Sequence, residues 1–437
     1  MARLHRYGPP LLLGAVLVYY AGYVKDDAYI SFRFAANWAR GQGLAFNPGD
    51  PSEGYTNFGW TALVAGLLRL GIPALLGAKL LGAAAALALC AALAVGRAAR
   101  SASWQDGTLA GLALAACALL RPEGHLLAGL GVLVAPRALP ALVAVLVPYH
   151  LARYHHFGDL LPIPFHVKAS APSLAGGLRY AGRFLVFFGQ GLLLAFALVA
   201  ARHGDRAVRV AALACVAFVA YLVYVGGDEM RWYRLYAPAL GLLVALAAVR
   251  LPALAVPAFV LAGLVYHGTA WRLRDYVAQD ERGYFPLGDA IARRARPGDS
   301  ALFQDAGATP FRALDVPFSD PIGVTDRRVA RLYARARWSP FRGPGPPELE
   351  RALRDELLGR DPRFIALVAY VPRGARQDVR AKVDADPEGT LAPLVAANGY
   401  VHGIPDDERF RCCYRFAGWW RRNDGYYLAL YEKEGGR

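Results

Sequence analysis

Residues 25–60 read KDDAYISFRFAANWARGQGLAFNPGDPSEGYTNFGW, and how this stretch is placed decides the fold. It follows an apolar run at 9–24, so Asp26 and Asp27 stand where a first membrane helix would leave the bilayer. Carboxylates at a membrane surface are costly unless solvated or paired, which makes them candidates for function. A solvated helix end is the plain alternative for one isolated acid. Ser31, Arg33, Asn37, Glu53, Tyr55, Thr56 and Asn57 argue against it, because they gather hydrogen-bonding groups between aromatics in a single segment.

Composition extends this reading outward. Over 437 residues the chain is 56% hydrophobic and 19% charged, with a mean hydropathy of +0.27. That profile departs from an ordinary globular domain and points to a polytopic α-helical membrane protein. The net charge of +15 comes mostly from arginines scattered through short loops, a pattern suited to lipid headgroups and phosphates rather than nucleic acid. Cys90, Cys117 and Cys215 lie in apolar runs, Cys412 and Cys413 are adjacent, and no zinc-like spacing occurs. The adjacent pair reads either as a vicinal disulfide or as two thiols. No cleavable signal is evident, since the first apolar run ends at Asp26 without a small-residue cleavage site.

Apolar runs near 9–24, 75–96, 107–136, 138–153, 184–201, 209–226, 235–249 and 252–268 predict about nine spans when 107–136 is split at Arg121-Pro122-Glu123-Gly124. A charged pair with proline and glycine fits a tip between two short helices better than the middle of one. The positive-inside rule supports the orientation weakly, with exceptions such as Arg153, Lys168, Arg179 and Arg234 on the outer side. The expectation is a transmembrane domain over 1–271, a first extracytoplasmic loop at 25–60, and a small extracytoplasmic α/β domain over 272–437. Within the latter, Ala301–Phe303 and Phe364–Val368 read as buried strands, and Ala330–Arg337 and Leu349–Leu358 as amphipathic helices.

Five motifs occur in one order. They are the 25–60 segment, Arg121-Pro122-Glu123-Gly124, RYHHFGDLLPIPFHVK at 153–168, VYVGGDEMRWYRLYAP at 223–238, and QDAGATPFRALDVPFSDPIGVTDRRVAR at 304–331. Together they resemble the GT-C superfamily of membrane glycosyltransferases, most closely the bacterial branch with the mycobacterial terminal arabinofuranosyltransferases. Ile163 and Pro164 depart from that branch's usual Asn-Thr, and only 101–107 stands where the branch carries a further helical hairpin. The resemblance implies a multi-pass plasma-membrane enzyme with its site outside, moving a sugar from a polyprenyl-phosphate donor to a glycan, lipid or protein hydroxyl. Membrane lipids would be its other partners, and nucleic acid would not.

Such a reaction needs a carboxylate to take the hydroxyl proton and cations or a metal to receive the departing phosphate. By the resemblance Asp26 is the base. Asp27 either orients the acceptor or joins Asp228 in holding a divalent ion such as Mg, Mn or Ca. Arg33, Lys168, Arg234 and Arg121 are the candidate phosphate cations, with Lys79 behind them. Glu53, Tyr55, Asn57, His166 and Asp228 are the candidate substrate contacts. Each cation alone fits a structural ion pair equally well, and His155, His156 and His166 suit stacking or hydrogen bonding better than metal ligation. Trp419-Trp420 and Tyr426-Tyr427 read as a strand edge or as a sugar-stacking surface. Two other classes stay open, a transporter or flippase of lipid-linked saccharides and an inactive sugar-binding scaffold.

Overall fold

A computed structural model describes residues 18–95, 104–169, 173–187, 206–227, 234–236, 276–423 and 425–435, with scattered positions between 191 and 202. The C-terminal part is built on five strands, β1 (Ala301–Phe303), β2 (Phe318–Ser319), β3 (Phe364–Tyr370), β4 (Tyr414–Asn423) and β5 (Tyr426–Lys433), in the order β2-β1-β3-β5-β4. β1 runs parallel to β2 and β3, while β5 is antiparallel to both β3 and β4. β3 reads FIALVAY and is buried through its first six residues, as expected of a central strand covered on both faces. The strands expected at 301–303 and 364–368 form as β1 and β3, and the expected helices run over Arg327–Ala336 and Pro347–Leu358.

Strand alternation divides the sheet between two cores. Ile365, Leu367 and Ala369 pack with Leu353, Leu357, Leu391 and Phe410 from the C-terminal helices. Phe364, Ala366 and Val368 face the other way, onto Tyr29, Phe32, Phe34, Phe46 and Val64 from the N-terminal segment. The N-terminal segment and the sheet therefore close one core between them.

The stretch expected to be a polar loop opens instead with a largely buried helix, Asp26–Ala39. Asp26 and Asp27 occupy its first turn, where a carboxylate meets the positive end of the helix dipole. The helix stops before Gly41, whose φ of +79° lies in the left-handed region that glycine tolerates. Its Arg33 is 0% exposed and ties the two parts together. Nε donates to Phe46 O at 2.8 Å, Nη1 to Pro310 O and to Ala313 O at 3.1 Å, and Nη2 to Val316 O at 2.8 Å. The Phe46 ring lies 4.8 Å from the guanidinium carbon. Asn47 adds a second stitch, accepting from Phe318 N–H at 2.9 Å and donating to Phe318 O at 2.9 Å, as a strand neighbour of β2 would.

The membrane architecture is corrected. Among the described residues no helix is long and apolar enough to cross a membrane. The apolar runs are cut short or charged: Arg121 to Glu123 separates helices Trp104–Leu120 and Gly124–Val134, of 17 and 11 residues. Helix Leu139–Phe157 contains Pro148 and ends in Arg153, Tyr154, His155 and His156. Helix Arg206–Tyr224 carries Arg206 and Arg209 in its first turns, leaving less than the ~20 apolar residues a bilayer requires. The side chains of helix Ala74–Val95 are described only to Ala85. The expected transmembrane domain, the multi-pass plasma-membrane location and the extracytoplasmic placement of the site are thus overturned on the described residues. The apolar runs at 9–17, 237–249 and 252–268 lie outside them.

Arg33→Met keeps the volume of the side chain but strands buried carbonyls, each costing ~1–3 kcal/mol. We expect a loss of stability of about 3 kcal/mol, measured as a shift of the urea midpoint at unchanged slope. A loss under about 1 kcal/mol would show that Arg33 does not hold the two parts together.

Candidate active site

A cavity of about 2120 Å³ is lined by the N-terminal helices and by residues at one end of the strands of the sheet. On its wall the first turn of helix Asp26–Ala39 meets the loop after β1. Asp26 Oδ1 accepts from Ala308 N–H at 2.7 Å. A Cβ at Gly307 would stand 2.1 Å from Asp26 O and 2.4 Å from its Oδ2, so only glycine allows this approach. Gly54 makes the matching contact at the other end of the insert, where an added Cβ would stand 2.8 Å from Thr325 Cγ2.

Asp305, two residues before Gly307, also lines the cavity. Its Oδ2 accepts from Tyr284 Oη at 2.8 Å and from Tyr426 Oη, and the two phenols lie 3.1 Å apart. Behind them Arg422 Nε donates to Asp280 Oδ1 at 3.1 Å, and its guanidinium stands 5.0 Å from the Tyr284 ring and 5.5 Å from the Tyr426 ring. Asp26, Asp280 and Asp305 thus gather around Arg422, with Lys25 as a further cation acting on Asp280 and Asp305.

The electrostatic consequence follows from burial and charge count. Burial, then the charges of Asp305 and Asp280, push Asp26 well above the usual carboxylate range, against the pull of the Ala308 N–H. Burial also raises Asp305, although the two phenols and Arg422 oppose it. Asp280 is pushed up to about 6 by burial against the pull of Arg422. A carboxyl raised in this way takes up a proton more readily than an ordinary one, which suits proton transfer near neutrality.

Glu53 has the opposite environment. Arg153 Nε donates to its Oε2 at 2.8 Å and to Oε1 at 3.0 Å, and Nη2 donates to Oε2 at 2.5 Å. Both side chains are buried, 5% and 6% exposed. Arg153 also reaches Leu160 O at 2.5 Å, so the pair braces the 158–163 turn. Burial raises the Glu53 carboxyl while Arg153 pulls it back. A carboxylate held by a bidentate fork is a structural anion.

The residues expected from the sequence separate into groups. Asp26, Asp27, Glu53, Tyr55, Asn57, Arg121 and Lys168 all line the cavity. Asn57 holds the wall together, its Oδ1 accepting from Ser31 Oγ at 2.9 Å. Arg121 forks onto Glu123 at 3.1 and 3.0 Å, and Lys168 stands 5.6 Å over the Phe341 ring. Arg33 is not on the cavity, and its donors are spent on backbone carbonyls, so a phosphate-binding role is corrected to a structural one. His166 pairs with Asp159 at 3.1 Å away from the cavity lining. Lys79 donates to Tyr23 O and likewise lies off it. Asp228 and the side chain of Arg234 lie outside the described residues.

Sequence reasoning missed Asp305, Asp280, Tyr284 and Arg422 as site groups, and Tyr426 was seen only as half of an aromatic pair. The Asp-Ala-Gly-Ala motif carried the signal for Asp305. Arg179, Arg183 and Arg342 add cations to the lining. Trp420 packs on the core shared with the N-terminal segment and Trp419 on the other, as neighbours on one strand should. Among the described residues no group of three or more His, Cys, Asp and Glu side chains is placed to hold a metal ion.

Glu53→Gln leaves Arg153 buried without its counter-charge, which typically costs ~3–5 kcal/mol. The double substitution Glu53→Gln/Arg153→Met should recover part of that loss. Thermal unfolding of the four species closes the cycle, and equal stability of wild type and Glu53→Gln would refute the pairing. Compared with known proteins, the chain matches no family model, no curated protein and no solved structure.

Proposed function

We propose that the chain transfers a glycosyl group from a donor in which the sugar is carried on the phosphate of an apolar polyprenyl chain to a hydroxyl acceptor. The observation that carries this reading is that one cavity is lined by buried carboxyls, several cations and apolar side chains together. Asp26 and Asp305 are among the carboxyls, and Lys168, Arg179, Arg183 and Arg342 are among the cations. Leu119, Leu126, Leu161 and Leu222 add apolar surface to the same lining, suited to a carrier chain. The GT-C resemblance of the motifs points the same way.

In this reading the acceptor hydroxyl sits against Asp26, whose orientation is fixed by the Ala308 N–H. The acceptor oxygen bonds to the anomeric carbon as the bond from that carbon to the phosphate oxygen breaks. The hydroxyl proton passes to Asp26, and the phosphate leaves as an anion toward the cations, which stabilise its charge. Asp305 raises the proton affinity of Asp26 through its charge. The two phenols hold Asp305 in place. Glu53, neutralised by Arg153, positions the wall and takes no proton.

Asp26→Asn removes the proton acceptor at nearly constant size and should lower the rate by ~10²–10⁴. Asp305→Asn should act differently. Removing its negative charge lowers the proton affinity of Asp26, so Asp26 stays ionised to lower pH and the acid limb of the pH–rate profile moves down. Transfer from a polyprenyl-phosphate sugar to a panel of hydroxyl acceptors would measure both. A folded Asp26→Asn protein with near wild-type rate would remove Asp26 from the mechanism. An acid limb that Asp305→Asn leaves in place would remove the coupling.

A further inference from the structure

At the helical end of the cavity two imidazoles from different helices face each other. His125 lies in the first turn of helix Gly124–Val134, and His150 in helix Leu139–Phe157. Both line the cavity, and their Nε2 atoms are 3.0 Å apart. The Nδ1 of His125 is 3.0 Å from Pro122 O. A carbonyl there accepts Nδ1–H, which fixes the tautomer and leaves the Nε2 lone pair aimed at His150. Backbone carbonyls orient metal-binding histidines in this same way. The Arg121 to Glu123 break creates the arrangement, because it starts a new helix with His125 in its first turn.

We propose that His125 and His150 form a two-imidazole site for a divalent transition metal of the copper or nickel type. The distance selects the metal class. Two nitrogens 3.0 Å apart, each ~2.0–2.1 Å from a common ion, subtend an angle of ~91–97°. That is the cis angle of a tetragonal centre, the geometry of Cu(II) and Ni(II), whereas tetrahedral zinc would hold the nitrogens ~3.4 Å apart. Water or a bound oxygen ligand in the cavity completes the coordination shell. When the ion enters, the N–H that bridges the two rings moves to His150 Nδ1, so both Nε2 lone pairs turn to the metal. The site stands on its own geometry and does not depend on sugar transfer.

The test is titration of the purified, chelator-stripped full chain with Cu(II) alone, followed by electron paramagnetic resonance. The expected result is one saturable tetragonal centre whose spectrum carries coupling to two imidazole nitrogens. His125→Gln and His150→Gln should each weaken binding by about tenfold or more, and the exposed His155→Gln should leave it unchanged. The wild-type spectrum decides the matter even if a variant fails to fold. A spectrum without imidazole coupling, or equal affinity in folded wild type and in the folded His125→Gln/His150→Gln protein, would overturn the site.

Discussion

The buried guanidinium of Arg33 is the constraint on which the rest of the structure depends. Its three nitrogens close on carbonyls of the 46 loop and of the segment between β1 and β2, so a charge with no carboxylate in contact is satisfied by backbone dipoles. Burial lowers its proton affinity to about 9, against the pull of Asp315, and it stays charged at neutral pH. The five-donor fork explains why arginine is required, since lysine has no planar set of donors to spread over several carbonyls. Once Arg33 is seated, the helix that bears it lies against the sheet. Asp26, two turns earlier, is then delivered to the Gly307–Ala308 backbone.

That delivery sets the chemistry of the cavity. Carboxyls from three separate segments, at 26, 280 and 305, converge where Arg422 pairs with Asp280. At an effective dielectric of 20, unit charges 4 Å apart interact by about 4 kcal/mol, so full ionisation of all three would be expensive. The proton affinities of the cluster rise in response, and tyrosine hydroxyls supply hydrogen bonds without adding charge at neutral pH. The sheet contributes Tyr426 on the cavity side, while its neighbour Tyr427 turns to the opposite core.

How much of this was legible in the sequence depended on the range of the forces involved. β1 and β3 were legible because a short apolar run bounded by turn residues has few other homes. The acids of the first turn stood out in the sequence, and the Asp-Ala-Gly-Ala motif contains the loop that Asp26 meets. The role of Arg33 was not legible, because its Ala313 carbonyl lies 280 positions away and an arginine on a helix looks the same whatever it faces. Glu53 and Arg153 stand 100 positions apart, and each alone resembles a ligand-binding charge. The membrane reading failed for a related reason. Hydropathy sums apolar content over a window, whereas a span needs unbroken length, and charges at Arg121, Arg153 and Arg209 interrupt the runs where it matters.

The contrast between Asp26 and Glu53 shows why proximity to a cavity does not make a base. Both are acids of the same segment on the same wall. Glu53 meets a guanidinium fork at 2.5–3.0 Å, which balances its charge and opposes the rise in proton affinity that burial gives it. Asp26 meets a single N–H and other carboxyls, so its ionised form is the less favoured one and a proton offered by a hydroxyl is readily held. Exchanging the two environments would exchange the two roles. The choice between them is made by Arg153 and Asp305, residues that the segment itself does not contain.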